Sequence, residues 1–374
     1  MKGLLTLALG LTLAAAVPPI PPALSCSSAG ICFASGLSSG AVLQRSPEVA
    51  VAYGSALGPP GAPIHITLAS SNGSFTHTVD CALAADGTWR AVLPAMPTGG
   101  NFSLRAACPS CAKRKDTTIN DLTFGDVFYA GGQSNMWLPL WFTYSRNTTL
   151  AAVRRGQYSN IRLWRGGLGK VAAPPASAGN WVGPEGVEPG SDDGNDALTN
   201  QWRRPADVAA VEIRAGEPWF WEFPATAFYF AMYLTDLIAG GGGEIPPLGI
   251  MTTPVGGTMV EEWTSPRAQA TCRNVTCMCM DDKSCDPYKP LDATCTHNSD
   301  LFYGNVQPFV NFSVKAFLWY QGCVCPLTRD PCPALLRASP PSTTTTHHPA
   351  ARTTCSTTRA TARRARATAA SSPP

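Results

Sequence analysis

Ser134 is the side chain of this sequence best set up for covalent chemistry. It sits in GDVFYAGGQSNMW, Gly125 to Trp137, where the apolar run Val127-Phe128-Tyr129-Ala130 ends in two glycines and Gln133. That pattern reads as a buried strand that stops, turns sharply and presents one hydroxyl just before a helix. Backbone N–H groups at a helix start have no intrahelical acceptor, and the dipole there is positive. Such groups hold the oxyanion that forms when a serine attacks an ester carbonyl. The same residues also fit a Gly-rich turn in which Ser134 is an ordinary helix N-cap.

Three further segments bear on that choice. Gly40 to Arg45 reads GAVLQR, Pro247 to Trp263 reads PLGIMTTPVGGTMVEEW, and Lys315 to Gly322 reads KAFLWYQG. With GQSNM between the first and second, they resemble in order the motifs of the sialate O-acetylesterase family, a branch of the SGNH hydrolases. The resemblance runs from about Ser39 to Gly322. Ser134 does not stand in a G-x-S-x-G elbow, so an α/β-hydrolase fold is not supported. The resemblance implies that Ser134 is the nucleophile and forms an acetyl-enzyme. It further implies that the N–H groups of Ser134 and Gly257 hold the oxyanion, with Gln321 as a side-chain donor. Gln133 and Asn135 are expected to brace the turn. The implied substrate is O-acetylated sialic acid or a related sugar, with no cofactor and no metal. Two other readings stay open: a catalytically dead glycan-binding glycoprotein, and an acetylesterase for other acetylated polysaccharides such as xylan or pectin fragments.

The elements that must position these residues fall into two regions. From about 25 to 118 the pattern is all-β. Ile64, Ile66 and Leu68 alternate with polar residues, as do Phe75, His77 and Val79; Asp86-Gly87 marks a turn before Thr88 to Leu93, and Phe102 to Ala107 closes the series. This predicts a small β-sandwich with His65 and His77 at solvent-facing strand positions. From 119 to 322 apolar strands alternate with helices: a helix at Ala225 to Leu237, a strand at Leu248 to Thr252, a helix starting at Met259, and a helix from Phe302 to Val310 before a strand at Val314 to Tyr320. The expected class is α/β, an SGNH-type three-layer α/β/α domain with a parallel sheet, its ligand site beyond the strands' carboxyl ends. Ser134, Gly256-Gly257 and Gln321-Gly322 all follow such ends. Gly166 to Asp196, rich in Gly and Pro, reads as a long surface loop.

The N-terminus suggests export. Lys2 precedes an apolar run to Ala16 that is too short to cross a bilayer and reads as a signal peptide over residues 1–16. Asn72, Asn101, Asn147, Asn274 and Asn311 open N-x-S/T sequons. Ten cysteines lie between Cys26 and Cys295, an even number that suits a disulfide set. Cys26 and Cys32 are close enough for a small loop. Cys272, Cys277, Cys279, Cys285 and Cys295 crowd together, but their spacing does not match two C-x-x-C pairs, so stapling is favoured over zinc. The expected location is outside the cell or in a lysosome-like compartment, with no nucleic-acid partner.

Composition changes abruptly after Gly322. Residues 323–374 hold seven arginines against Asp330 as their one acid, with no aromatic residue and no glycine. The tail thus carries +6 of a chain total of +3, and residues 1–322 sum to −3. Such a segment cannot bury enough apolar surface to fold and is expected to be disordered. It reads as a basic tail, as a Ser/Thr/Pro stalk, or as the product of a frame change near Cys323; the last is favoured, because the resemblance breaks where the family has Glu. The family's base comes from an Asp-x-x-His segment downstream, and none is present here. The remaining histidines, His297, His347 and His348, lie in the Cys-rich segment and the tail. The compartment reading predicts mobility shifts on glycosidase treatment and on reduction; electrophoresis showing neither shift would contradict it.

Overall fold

The computed structural model describes residues 30–113, 115–166, 200–269, 299 and 301–321. The expected signal peptide, most of the Gly166–Asp196 loop, Asn274, the Cys272–Cys295 cluster and everything from Gly322 onward lie outside them.

The first part is built of short strands. These are β1 (Ile31–Phe33), β2 (Val42–Gln44), β3 (Val51–Ala56), β4 (Pro63–Ser70), β5 (Thr76–Ala82), β6 (Thr88–Val92) and β7 (Gly99–Ala107). Strand alternation sets their faces: Ile64, Ile66 and Leu68 are fully buried, while His65 and Thr67 between them are partly exposed. β1, β3 and β6 form one antiparallel sheet; β5, β4 and β7 run antiparallel into β8 (Asp116–Gly132). Residues of both sheets, among them Trp89, Leu104 and Phe124, share one apolar core.

The 17-residue β8 then changes partners. Its first half pairs antiparallel with β7. Its second half is flanked by two parallel strands that follow β9 (Ile161–Arg165), β10 (Trp202–Arg203), β11 (Glu212–Arg214) and β12 (Glu217–Pro218) in the chain. β13 (Leu248–Thr252) lies opposite Asp126–Ala130, and β14 (Ala316–Tyr320) opposite Phe128–Gly132. β9 continues the parallel set beyond β13, and β10 closes it antiparallel. The fold is thus a mixed sheet with few helices, and the boundary expected near Thr118 falls inside β8.

Four helices matter to the site: α1 (Ser134–Trp137), α2 (Arg146–Arg154), α3 (Pro205–Ala209) and α4 (Ala225–Gly240). One face of the parallel strands, with Phe128, Ala130, Leu163 and Ile250, packs on Val153 of α2, Val208 of α3 and Phe228 of α4. The other face, with Tyr129, Trp164 and Met251, packs on Phe309 and Phe312. No regular helix forms from Phe302 to Val310 as expected. A π-type turn at Phe302–Val306 passes into a 3-10 turn at Gln307–Phe309, because Pro308 has no N–H to carry a helical ladder. The segment after Met259 is likewise a single 3-10 turn, Val260–Trp263.

Asp126 fixes the point where β8 changes partners. Arg45 donates to its carboxylate from Nε and Nη2, both at 3.0 Å, and Lys315 Nζ lies 3.7 Å away. Gln44 donates to the same carboxylate at 3.4 Å and accepts the Val127 N–H at 3.0 Å. Burial opposes ionisation of Asp126, but the Arg45 hydrogen bonds, the charges of Arg45 and Lys315, and Gln44 outweigh it and hold the carboxyl below the usual range. A depressed folded-state value stabilises the fold fully above the unfolded value of about 3.9, and that contribution is lost as pH falls through the folded value. Arg45→Met is therefore expected to cost about 2–3 kcal/mol at pH 7, less than a fully buried pair because Arg45 is partly exposed. Urea unfolding should show the gap between variant and parent narrowing below pH 4, where Asp126 takes up its proton.

Candidate active site

The end of β8 can be built only from glycine. Gly132 has φ +134°, and a Cβ there would lie 2.3 Å from the Tyr320 carbonyl oxygen of β14. The next residue, Gln133, donates its N–H to that same oxygen at 3.1 Å and buries its side chain. Gln133 occupies the N-cap of α1 without a side-chain cap bond, so Ser134 is the first helical residue and not the cap. Ser134 is exposed. Among the described residues neither its hydroxyl nor its N–H has a hydrogen-bond partner. α1 stops after one turn because Leu138 precedes Pro139, which disfavours helical backbone at that position.

The chain leaving β13 is laid along the end of β8. Thr253 N–H bonds to Ala130 O at 3.2 Å and Val255 N–H to Gly132 O at 3.0 Å. The Tyr129 hydroxyl supports this run from below, bonding to Thr253 Oγ1 and Asn305 O; burial pushes its pKa up. Gly256 follows, and a Cβ placed on it would stand 3.7 Å from the Ser134 Cβ. Gly257 is exposed at φ +72°, and its N–H has no acceptor among the described residues. Gln321 joins the same loop, donating from Nε2 to Thr258 O at 3.0 Å and accepting from Trp319 Nε1 at 3.2 Å. Ser134, Gly257 and Gln321, expected together from sequence, are brought to one end of the parallel strands. One Gln321 amide hydrogen is committed to the loop.

Other residues hold this geometry and were not singled out by sequence. Buried Thr258 donates to Val255 O at 2.8 Å and accepts from Trp263 Nε1 at 3.0 Å. Trp263 stands edge-on to Trp319 of β14, their ring centroids 5.1 Å apart. Glu262 is fully buried, and its Oε2 accepts the Met259 N–H at 2.8 Å. The Glu three residues after Met259 is a sequence-level sign of a capped turn; the Trp263–Trp319 contact has no such sign, because it joins segments far apart in the chain.

The two described histidines stand elsewhere. His65 Nδ1 lies 2.7 Å from Asp80, across the β4–β5 pair, and His77 stacks on Phe75. His297, His347 and His348 lie outside the described residues. Asn72, Asn101 and Asn147 are exposed and Asn311 partly so. Cys108 and Cys111 form a disulfide. Cys81 is a free thiol, which corrects the expectation of a fully paired set.

No protein-family model matches the chain. The sialate O-acetylesterases of Pongo abelii and Homo sapiens are each 27% identical to it over 313 residues, 84% of this chain and 52% of theirs. That of Rattus norvegicus is 26% identical over 314 residues, again 52% of its length. The chain is thus similar to sialate O-acetylesterases over most of its length. It spans about half the length of these sialate O-acetylesterases. A solved carbohydrate acetylesterase from Xanthomonas citri shares the fold, with a TM-score of 0.51 at 23% identity over 78% of this chain and 51% of that one.

The loop geometry depends on the Thr258 hydroxyl. Thr258→Val leaves the Trp263 N–H buried without its partner, and a lost buried hydrogen bond costs about 1–3 kcal/mol. A lower thermal midpoint is the expected result; an unchanged midpoint would show that the hydroxyl does not brace the loop.

Proposed function

We propose that this protein is a carbohydrate esterase that removes O-acetyl groups from acetylated sialic acid or a related sugar. The observation that carries the reading is the juxtaposition of exposed Ser134 with Gly256-Gly257 at the ends of β8 and β13. In this reading Ser134 Oγ attacks the acetyl carbonyl, and the N–H groups of Ser134 and Gly257 receive the developing oxyanion. Both are free of other acceptors among the described residues. The remaining amide hydrogen of Gln321 is a third donor. The sugar hydroxyl leaves, and water then releases acetate from the acetyl-enzyme.

The same reading takes residues 119–322 as an SGNH-type three-layer domain behind a β-sandwich of residues 25–118. It places the protein in a secretory or lysosome-like compartment, which the Cys108–Cys111 disulfide supports. Glycans at the exposed sequons belong to that reading. Among the described residues no helix is long and apolar enough to cross a membrane.

Neither described histidine serves Ser134, and a positioned base contributes on the order of 10²–10⁴-fold to such a step. Turnover is therefore expected to be slow and to rise when imidazole is supplied in solution as a base. Acetate release from 9-O-acetylated sialic acid, with and without imidazole, tests this against a Ser134→Ala blank. Release that depends on Ser134 supports the esterase. Release unchanged in Ser134→Ala, or none under either condition, overturns it; binding of the sugar without release would favour the glycan-binding alternative.

A further inference from the structure

β14 has the sequence of a buried strand and the surroundings of an exposed one. Its residues, Ala316-Phe317-Leu318-Trp319-Tyr320, form a continuous apolar run. β13 is a similar run and is buried throughout. Such runs belong to strands covered on both faces. Yet Phe317 is 66% exposed, Trp319 43% and Tyr320 37%. Side chains alternate along a strand, so Phe317 and Trp319 leave one face open and Tyr320 the other.

The edge is open as well. Among the described residues β8 is the only strand paired with β14. Unpaired edges attract other strands unless Pro, charge or a bulge blocks them. β5, at the far end of the same sheet, presents exposed Thr76, Thr78 and Asp80. β14 has no Pro, no charge and no register shift. Lys315, just before it, lies beside Asp126. The chain beyond Gly322 is poor in apolar strand formers: residues 323–374 hold one valine, no isoleucine and no aromatic residue.

A second copy of β14 fits this edge. Set antiparallel about a two-fold axis through Leu318, all positions of the strand are paired. Phe317 then faces Trp319 of the partner subunit and Trp319 faces Phe317 of the partner subunit, two aromatic cross-strand pairs on one face. On the other face small Ala316 meets large Tyr320 of the partner subunit, and Leu318 meets its own counterpart. Lys315 falls opposite Gln321 of the partner subunit, so no like charges are brought together. One patch thus serves both sides, as a two-fold interface requires. The three aromatic side chains leave roughly 300 Å² uncovered per copy. Even with the strand edge added, the pair stays below the ~1,200 Å² of standard interfaces, which makes the dimer weak and concentration-dependent.

We propose that this protein self-associates through β14, whose edge pairs antiparallel with β14 of a second copy and joins two sheets into one. The proposal stands whether or not Ser134 is a nucleophile. The same contact covers Trp319, whose Nε1 bonds to Gln321, the residue that ties β14 to the Gly257 loop.

Sedimentation of the full chain is followed over about a hundredfold range of concentration. Glycans are first removed, because Asn311 opens a sequon shortly before β14. A monomer at the dilute end and a dimer at the concentrated end are expected. Phe317→Lys, at a mostly exposed position, is expected to weaken association by about tenfold or more while the thermal midpoint stays that of the parent. Cross-linking reads the register. Under mild oxidation Leu318→Cys is expected to give a dimer linked through position 318. Ala316→Cys is not, because its two copies lie about 13 Å apart. A chain that is monomeric at every concentration, a dimer unaffected by Phe317→Lys, or cross-linking at 316 and not at 318 would each overturn the proposal. In the monomeric case hydrogen exchange separates the rival occupants: protection of the outward amides of β14 would assign the edge to residues 322–374, and open amides to a different polypeptide.

Discussion

The structure depends on one strand joining the antiparallel and parallel parts of a mixed sheet. Asp116–Gly132 pairs antiparallel with β7 over its first half and is the centre of a parallel set over its second. From Thr123 onward the strand has a partner on both edges, so the end that carries Ser134 is held to the core that β8 shares with the antiparallel strands. The exchange of partners needs a fixed point. Asp126 supplies it by drawing Gln44 and Arg45 from one part of the chain and Lys315 from another onto one carboxylate. The apolar motif at Gly40 to Arg45 thus acts at a distance: its polar residues lie at the opposite end of the parallel strands from Ser134 and set where those strands begin.

At the other end the constraint is close approach of backbone to backbone. Gly132 lets β14 come against the turn, and a side chain there would run into the Tyr320 carbonyl and push the strand ends apart. At Gly256 the approach to Ser134 is looser, with a Cβ standing at ordinary contact distance. The loop carrying Gly257 has little regular structure of its own, so it borrows order from Thr258, Trp263 and the side chain of Gln321. Site geometry here is a property of packing between segments more than of any single motif.

That division explains what the sequence revealed. The alternation in β4 was legible because one buried face imposes a period of two, and the strand at Leu248–Thr252 because burial on both faces leaves a short continuous apolar run. The convergence of Ser134, Gly257 and Gln321 was legible because each follows a strand end in a parallel set. The form of the Phe302–Val310 segment was not, since apolar residues alone do not separate a helix from a π-type and 3-10 pair broken by Pro308. The role of Gln133 at the N-cap was also hidden: Ser is the better capping residue by type, but Gln133 is tied by its N–H to the Tyr320 carbonyl of a distant strand and the helix starts at Ser134.

The central claim is that the ends of β8 and β13 form one site with Ser134 against the Gly256 loop. Disulfide trapping measures this most directly. The Cβ positions at 134 and 256 would lie 3.7 Å apart, within the span of about 3.5–4.5 Å that a disulfide takes. In the double variant Ser134→Cys/Gly256→Cys, mild oxidation is predicted to join the two positions, found by peptide mass spectrometry as a cross-link that reduction removes. Failure to cross-link, while each single variant remains open to a thiol reagent, would contradict the shared site.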